Sequence, residues 1–279
     1  MPKGWTWDET LYAGSAPYYA LGRLPYAPGL ANVLSTALDL DGRGRMLDVG
    51  CGPGILTLCF AHLFPDAIGV DPDPGMLAEA RQRARLLGIA NVRWLQTRAE
   101  ELTPDLGRFR LITFGQSFHW LEREQVAANL PPLLEPGGVI AHISDWKEPV
   151  AQPEDLPFPL PPYEAMRALI RHFLGPVPRA GQGILAYGSA SGEAAVFHAA
   201  GFTLQERKRV PAAGPLTRTI EDLVAWVFSL SGSAPHLFGE RRAIFEVDLR
   251  RLLNHASPSG QFSEQPPDTD VQLFRLPPR

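Results

Sequence analysis

Residues 47–54 read Leu47-Asp48-Val49-Gly50-Cys51-Gly52-Pro53-Gly54. They close a short apolar run that begins at Arg45 and open a helical segment from about Ile55 to Phe64, where Pro65 stops it. A strand, a glycine-rich turn and a helix in that order make the first half of a parallel βαβ unit. The glycines let the backbone turn sharply and approach a ligand closely, and the first helical N–H groups then face whatever binds. The next run, Ala67-Ile68-Gly69-Val70-Asp71, reads as the following strand. Asp73 then has the chemistry of an N-cap, with Pro74 at the first helical position. Met76, Leu77, Ala80, Ala84 and Leu87 mark the buried face of that helix, and Gly88 suits its end.

Asp71 lies 21 residues beyond Gly50, at the end of the second strand. A carboxylate there can accept both hydroxyls of a ribose. Turn and carboxylate together point to an adenosine-containing ligand at the carboxyl edge of a parallel sheet. A dinucleotide fingerprint would read GxGxxG, but the spacing here is GxGxG, with Ile55 at the third glycine position. Asp48 also stands just before the glycines, where it would repel a pyrophosphate and favour a cationic sulfonium or ammonium group. The charge pattern therefore favours S-adenosylmethionine over a nicotinamide dinucleotide.

Outward from this unit the alternation continues. Asn91–Gln96 and Phe109–Phe114 are strand candidates, a helix begins near Glu122 and is broken by Pro131-Pro132, and Pro136-Gly137-Gly138 turns into the strand Val139–Ile143. Beyond Asp145 the texture changes: residues 149–162 carry six prolines, the mark of a loop or semi-rigid connection. Helices are expected over Tyr163–Leu174, Gly192–Ala200, Glu221–Leu230 and Glu240–Leu253, and strands over Phe202–Val210 and Asp270–Arg275.

The chain has 279 residues, 45% hydrophobic and 20% charged, with a net charge of −4. That is a soluble globular balance, long enough for one large domain with a sizeable cap. No apolar run approaches the about 18 residues a membrane span needs, and the N-terminus carries no apolar signal core. Mild acidity argues against a nucleic-acid partner. Two cysteines, Cys51 and Cys59, make neither a disulfide framework nor a four-ligand zinc site, and a reducing cytoplasm fits them. No metal site is expected, and the oligomeric state stays open.

The segments LDVGCGPG (47–54), GVDPDPGML (69–77), RAEEL (98–102), FRLITFGQSFHWL (109–121) and LEPGGVIA (134–141) resemble the class I S-adenosylmethionine-dependent methyltransferases, in particular the small-molecule branch of the ubiquinone/menaquinone and trans-aconitate type. Ala16–Tyr26 resembles the Tyr…Arg-x-x-Tyr approach to that fold. The resemblance covers roughly residues 12–145. It implies an α/β, doubly wound, seven-stranded mostly parallel sheet with a final antiparallel strand, plus a helical cap, with Phe202–Val210 and Asp270–Arg275 as the last two strands, forming the reversed hairpin. The expected division is an N-terminal helical cap (1–40), a cofactor-binding core (41–145), a Pro-rich loop and cap insertion (146–190), and a C-terminal part of the core (191–279).

Site roles carry over by position. Gly50, Cys51, Gly52 and Gly54 would bracket the methionine part of S-adenosylmethionine, with Asp48 near its ammonium group. Asp71 would bind the ribose, and Pro72 and Met76 would touch the adenine. Ala99 and Glu100 would lie near the exocyclic amine, and Gln116 and Ser117 near the methionine end. Tyr19, Arg23 and Tyr26 would close over the cofactor. His119 follows the fourth strand and is the candidate general base, whereas His142 reads as a core histidine. Trp5, Trp7, Trp146 and Tyr163 are candidates for an aromatic acceptor pocket. The expected reaction is methyl transfer to a small, rather hydrophobic organic acceptor, with oxygen preferred. Three alternatives stay open: a protein that binds the cofactor without transfer, a non-methylating enzyme of this fold such as a cyclase, and an NAD-dependent oxidoreductase.

Overall fold

A computed structural model describes Gly4 and residues 6–148, 155–184 and 192–277. The glycine-rich unit folds as its pattern implies. Strand β1 (Arg45–Val49) leads through the turn to helix α3 (Ile55–Phe60), which follows α1 (Ala16–Gly22) and α2 (Leu30–Ala37) in the chain. The helix tightens into a 3-10 turn at Ala61–Leu63 before Pro65, so it is shorter than its apolar pattern suggested. Strand β2 (Asp66–Asp71), α4 (Pro74–Leu86), β3 (Val92–Gln96), β4 (Phe109–Gly115), α5 (Arg123–Asn129) and β5 (Leu134–Asp145) complete the parallel half. β5 begins five residues earlier than expected. Pro136-Gly137-Gly138 lies within it, beside a register shift against β4 between Phe109 and Leu111. After the Pro-rich stretch come α6 (Tyr163–Leu174), the two-residue strands β6 (Arg179–Ala180) and β7 (Gly183–Ile184), α7 (Glu193–Ala199) and β8 (Thr203–Val210). The chain closes with β9 (Leu216–Thr219), α8 (Ile220–Phe228), α9 (Arg242–Ala256), β10 (Gln261–Glu264) and β11 (Thr269–Arg275).

The main sheet has seven strands in the order β3-β2-β1-β4-β5-β11-β8. β1 to β5 run parallel, and β11 pairs antiparallel with both β5 and β8. β8 and β11 pair as expected but do not form a local hairpin, because residues 211–268 intervene between them.

The period of two along each strand sorts the core into two faces. Leu47, Val49, Ile68, Val70, Ile112 and Phe114 pack on one face with Phe118 and Phe197. Met46, Ala67, Leu111, Ala141 and Ile143 pack on the other with Leu30, Leu34, Leu56 and Phe60. A sheet covered on both faces explains why its strands read as nearly continuous apolar runs.

A third core lies in the helical cap. Met166 and Phe173 of α6 meet Leu223, Val227 and Phe228 of α8, Phe245 and Leu249 of α9, and Phe262 of β10. The cap therefore draws on residues 216–264 as well as on α6, although the sequence pattern had assigned 191–279 to the core. Arg218, 5% exposed, joins it to α1. Its guanidinium donates to Glu264 Oε2 (2.9 Å), to the Gly22 carbonyl (2.8 Å) and to the Asp222 carbonyl (3.1 Å). The Tyr163 hydroxyl donates to the other Glu264 oxygen.

Candidate active site

The turn after β1 is held by its own backbone. Gly50 and Cys51 N–H both donate to the Val70 carbonyl of β2, at 2.9 and 3.0 Å. Gly50 sits at φ +68°, and a Cβ there would stand 2.6 Å from Ser117 Cβ. Ser117 in turn donates from Oγ to the Val49 carbonyl at 2.6 Å, so the end of β4 is pinned against the turn. Only glycine fits between them. Beneath the turn, Asp48 is 1% exposed. Its carboxylate accepts from Thr57 Oγ (2.6 Å) and Thr113 Oγ (2.8 Å), while burial pushes its pKa up against those hydrogen bonds. Cys51 is also buried, which raises its thiol well above the usual range and leaves it unreactive.

Asp71 ends β2 beside this turn. Its Oδ2 accepts from Gly52 N–H and its Oδ1 from Asp73 N–H, both at 2.9 Å. Burial raises its pKa to about 6, against the two amide hydrogen bonds and with help from the charges of Asp73 and Asp48. Asp73 caps α4, accepting from Gly75 N–H (2.7 Å) and Met76 N–H (3.0 Å). At the end of β4, Gln116 holds φ +55°, rare for a residue with a side chain, and donates its N–H to the Ile143 carbonyl.

These elements surround a cavity of about 580 Å³ at the carboxyl ends of the strands. Gly50, Gly52, Asp71 and Pro72 line its floor. Met76, Gln116, Ser117 and Tyr19 complete the part of the wall that the sequence had singled out. Asp48 and Cys51 line a small adjoining void of about 40 Å³ with Tyr26.

Five assigned residues stand elsewhere. Gly54 is the turn residue before α3, at φ +77° with Trp94 filling the space of a Cβ, and does not reach the cavity. Ala99 is buried in the sheet core. Glu100 turns to accept from Glu122 N–H (2.9 Å) at the start of α5 and to pair with Arg98 (3.3 Å). Arg23 stacks over the Tyr19 ring (4.9 Å) and donates to the Ser229 carbonyl (2.9 Å), one layer behind the wall. His119 is absent from the lining and packs against Trp120, ring centroids 4.9 Å apart. Burial lowers its pKa to about 4, with His142, Arg23 and Arg123 adding to the effect and Glu193 opposing it. His119 thus lies off the cavity lining, where burial favours its neutral imidazole.

The aromatic acceptor cluster does not assemble. Trp7 lines the cavity. Trp146 lies under the Arg207 and Arg209 guanidiniums, Tyr163 packs on Trp226 in the cap, and Trp5 falls outside the described residues. The wall comes instead from residues the sequence had not marked. Leu11, Tyr12 and Trp120 form its apolar side, and Gln96, Thr97 and Arg98 extend it past β3. The position of Gln96–Arg98 after a strand of a parallel sheet was the available signal. Among the described residues, no three His, Cys, Asp or Glu side chains are placed to hold a metal ion, and no helix is long and apolar enough to cross a membrane.

The stretch that builds this site, residues 46–138, matches the family model described as "Methyltransferase domain". Residues 46–138 are thus similar to a methyltransferase domain. Over 111 residues the chain is 37% identical to a trans-aconitate 2-methyltransferase of Methylobacterium radiotolerans, an alignment covering 39% of this chain and 40% of that protein. The chain thus spans about two fifths of the length of that relative. Among solved structures, YjhP from E. coli superposes with a TM-score of 0.53 at 16% identity, over 96% of this chain and all of that one. The [4+2]-cyclase SpnF superposes at 0.52 with 20% identity, over 92% and 84%. At such identities the superpositions report the methyltransferase fold alone.

Proposed function

We propose that this chain transfers a methyl group from S-adenosylmethionine to a small organic acceptor. The observation that carries the reading is the fixed Asp71 carboxylate, beside glycine amides at the carboxyl edge of the sheet, on the floor of a cavity within the usual size range for small ligands. Asp71 would hold the ribose hydroxyls, and Pro72 and Met76 would flank the adenine. Gly50, Gly52 and Gln116 would enclose the methionine part, with Asp48 below the turn disfavouring a phosphate there. Arg23 has a buried Nε without a hydrogen-bond partner, and from behind Tyr19 its positive charge would favour the carboxylate of the methionine part.

The bound cofactor supplies an already activated sulfonium methyl. What the chain adds is placement of the acceptor atom about 3–3.5 Å from that methyl and exclusion of water. A general base is not required of it, which agrees with the place of His119. The apolar side of the cavity, from Leu11, Tyr12 and Trp120, supports a hydrophobic acceptor, with oxygen the preferred atom. A relative named for trans-aconitate supports a small organic molecule over a macromolecule.

Calorimetric titration with S-adenosylmethionine, S-adenosylhomocysteine and NAD in parallel tests the cofactor. Binding of the two sulfur ligands alone is expected, and binding of NAD alone would overturn the reading. A screen with labelled cofactor then tests the acceptor class. Label in protein or tRNA with none in small molecules would refute it.

A further inference from the structure

Residues 7–12, ahead of α1, lie along the cavity as a strap. Trp7, Leu11 and Tyr12 lie against the cavity from above. On the core side the strap rests on the Arg98 guanidinium, which lies 5.2 Å from the centroid of the Trp7 ring. On the cap side, Leu11 packs against Ala180 of β6. Between these two points sits Asp8. Its Oδ1 accepts from Thr10 N–H (2.8 Å) and Thr10 Oγ (2.7 Å), and its Oδ2 accepts from Gln182 N–H (2.5 Å). Gly181, at φ +58°, lies so close that a Cβ there would stand 2.1 Å from Asp8 Oδ2 and 3.1 Å from Leu11 Cα. The hairpin tip is thus shaped to receive one carboxylate. The hairpin is itself tied to the cap, through Gly181 N–H donating to the Ser231 carbonyl at 2.9 Å.

We propose that Asp8 is a latch: it fastens the strap to the β6–β7 hairpin and so sets how long the cofactor stays in the cavity. The effect on residence rests on the cofactor reading above, whereas the closure of the strap does not. With the strap latched, Trp7 and Tyr12 cover the cavity, so entry and exit require the contact of Asp8 with Gln182 to break, while the bonds to Thr10 shape the strap around that carboxylate. Asp8 touches neither cofactor nor acceptor and acts as a positioning residue.

Two measurements on the full chain test this. Hydrogen exchange of the ligand-free protein reads the strap through the Thr10, Leu11 and Gln182 amides. D8A and G181A should speed their exchange at least about tenfold, equivalent to about 1.4 kcal/mol. D8N, which keeps one acceptor oxygen, should fall between them and the parent chain. Protection of the β1–β4 amides should stay unchanged, which separates a released strap from global unfolding. Stopped-flow dissociation of S-adenosylhomocysteine should accelerate by a similar factor in D8A and G181A. Unchanged strap exchange in both variants would overturn the latch, and so would faster exchange with an unchanged dissociation rate. Should S-adenosylhomocysteine fail to bind the parent chain, the cofactor reading fails, and the exchange data alone decide whether Asp8 holds the strap.

Discussion

Asp71 carries opposed demands. Its place beside the glycine amides suits a ribose, yet burial raises its pKa from 3.8 to about 6. A shift of that size corresponds to about 3 kcal/mol against the charged form in the free protein. The folded-state pKa is raised, so the contribution to stability is full below the unfolded value near 3.8 and is lost as pH rises through about 6. Ligand binding has the opposite sign, because the ionised carboxylate is the better acceptor for ribose hydroxyls. Affinity for S-adenosylhomocysteine should therefore fall about tenfold between pH 7 and pH 5, as titrations at the two values would show. Asp71→Asn should abolish that pH dependence, weaken binding by about 1–3 kcal/mol and raise, not lower, the ligand-free Tm at pH 7.5. Asp71 was legible because it ends a strand at a set distance from a glycine turn. The surroundings of His119 were not: Glu193 of α7 and His142 of β5 act on its charge from distant parts of the chain, which no local spacing reveals.

Local punctuation decided which elements could be read. β1, β2 and α4 are bounded by glycines, by Pro65 and by the Asp73-Pro74 start, and each formed where those signals stand. β9 and β10 were missed. Each is four residues long, and Leu216–Thr219 pairs with Gln261–Glu264 across two intervening helices. Such pairing is fixed by tertiary contact and leaves no periodic trace. The strap was also illegible as a wall, since its place over the cavity rests on contacts with the β6–β7 hairpin, about 170 residues away in sequence. The cap of α4 permits a direct test. Asp73→Ala removes the acceptor for the Gly75 and Met76 amides and should cost about 0.5–2 kcal/mol in urea unfolding. Because Pro74 and Met76 wall the cavity, S-adenosylhomocysteine affinity should fall with it, and Asp73→Ser should restore most of both.

Sheet and cap have separate cores, and within the cap the Arg218 cation is only 5% exposed. Removing it leaves the Glu264 carboxylate buried without its guanidinium and the Gly22 carbonyl without a donor. Arg218→Ala should destabilise the protein by about 3–5 kcal/mol in denaturant unfolding. Arg218→Met combined with Glu264→Leu should recover much of that loss, since an apolar pair carries no desolvation cost. The sheet has a different weakness, in time. β11 lies between β5 and β8 and is hydrogen-bonded to both, yet the ribosome makes it after either of them. Until β11 emerges, β8 has no place in the sheet, and β5 exposes the unpaired backbone of a strand rich in Val, Ile and Ala. Much of the cap, β9, α8, α9 and β10, is translated during that interval. A nascent chain paused anywhere in residues 211–268 holds an open sheet edge, the state in which association with another chain competes most strongly with completion of its own fold.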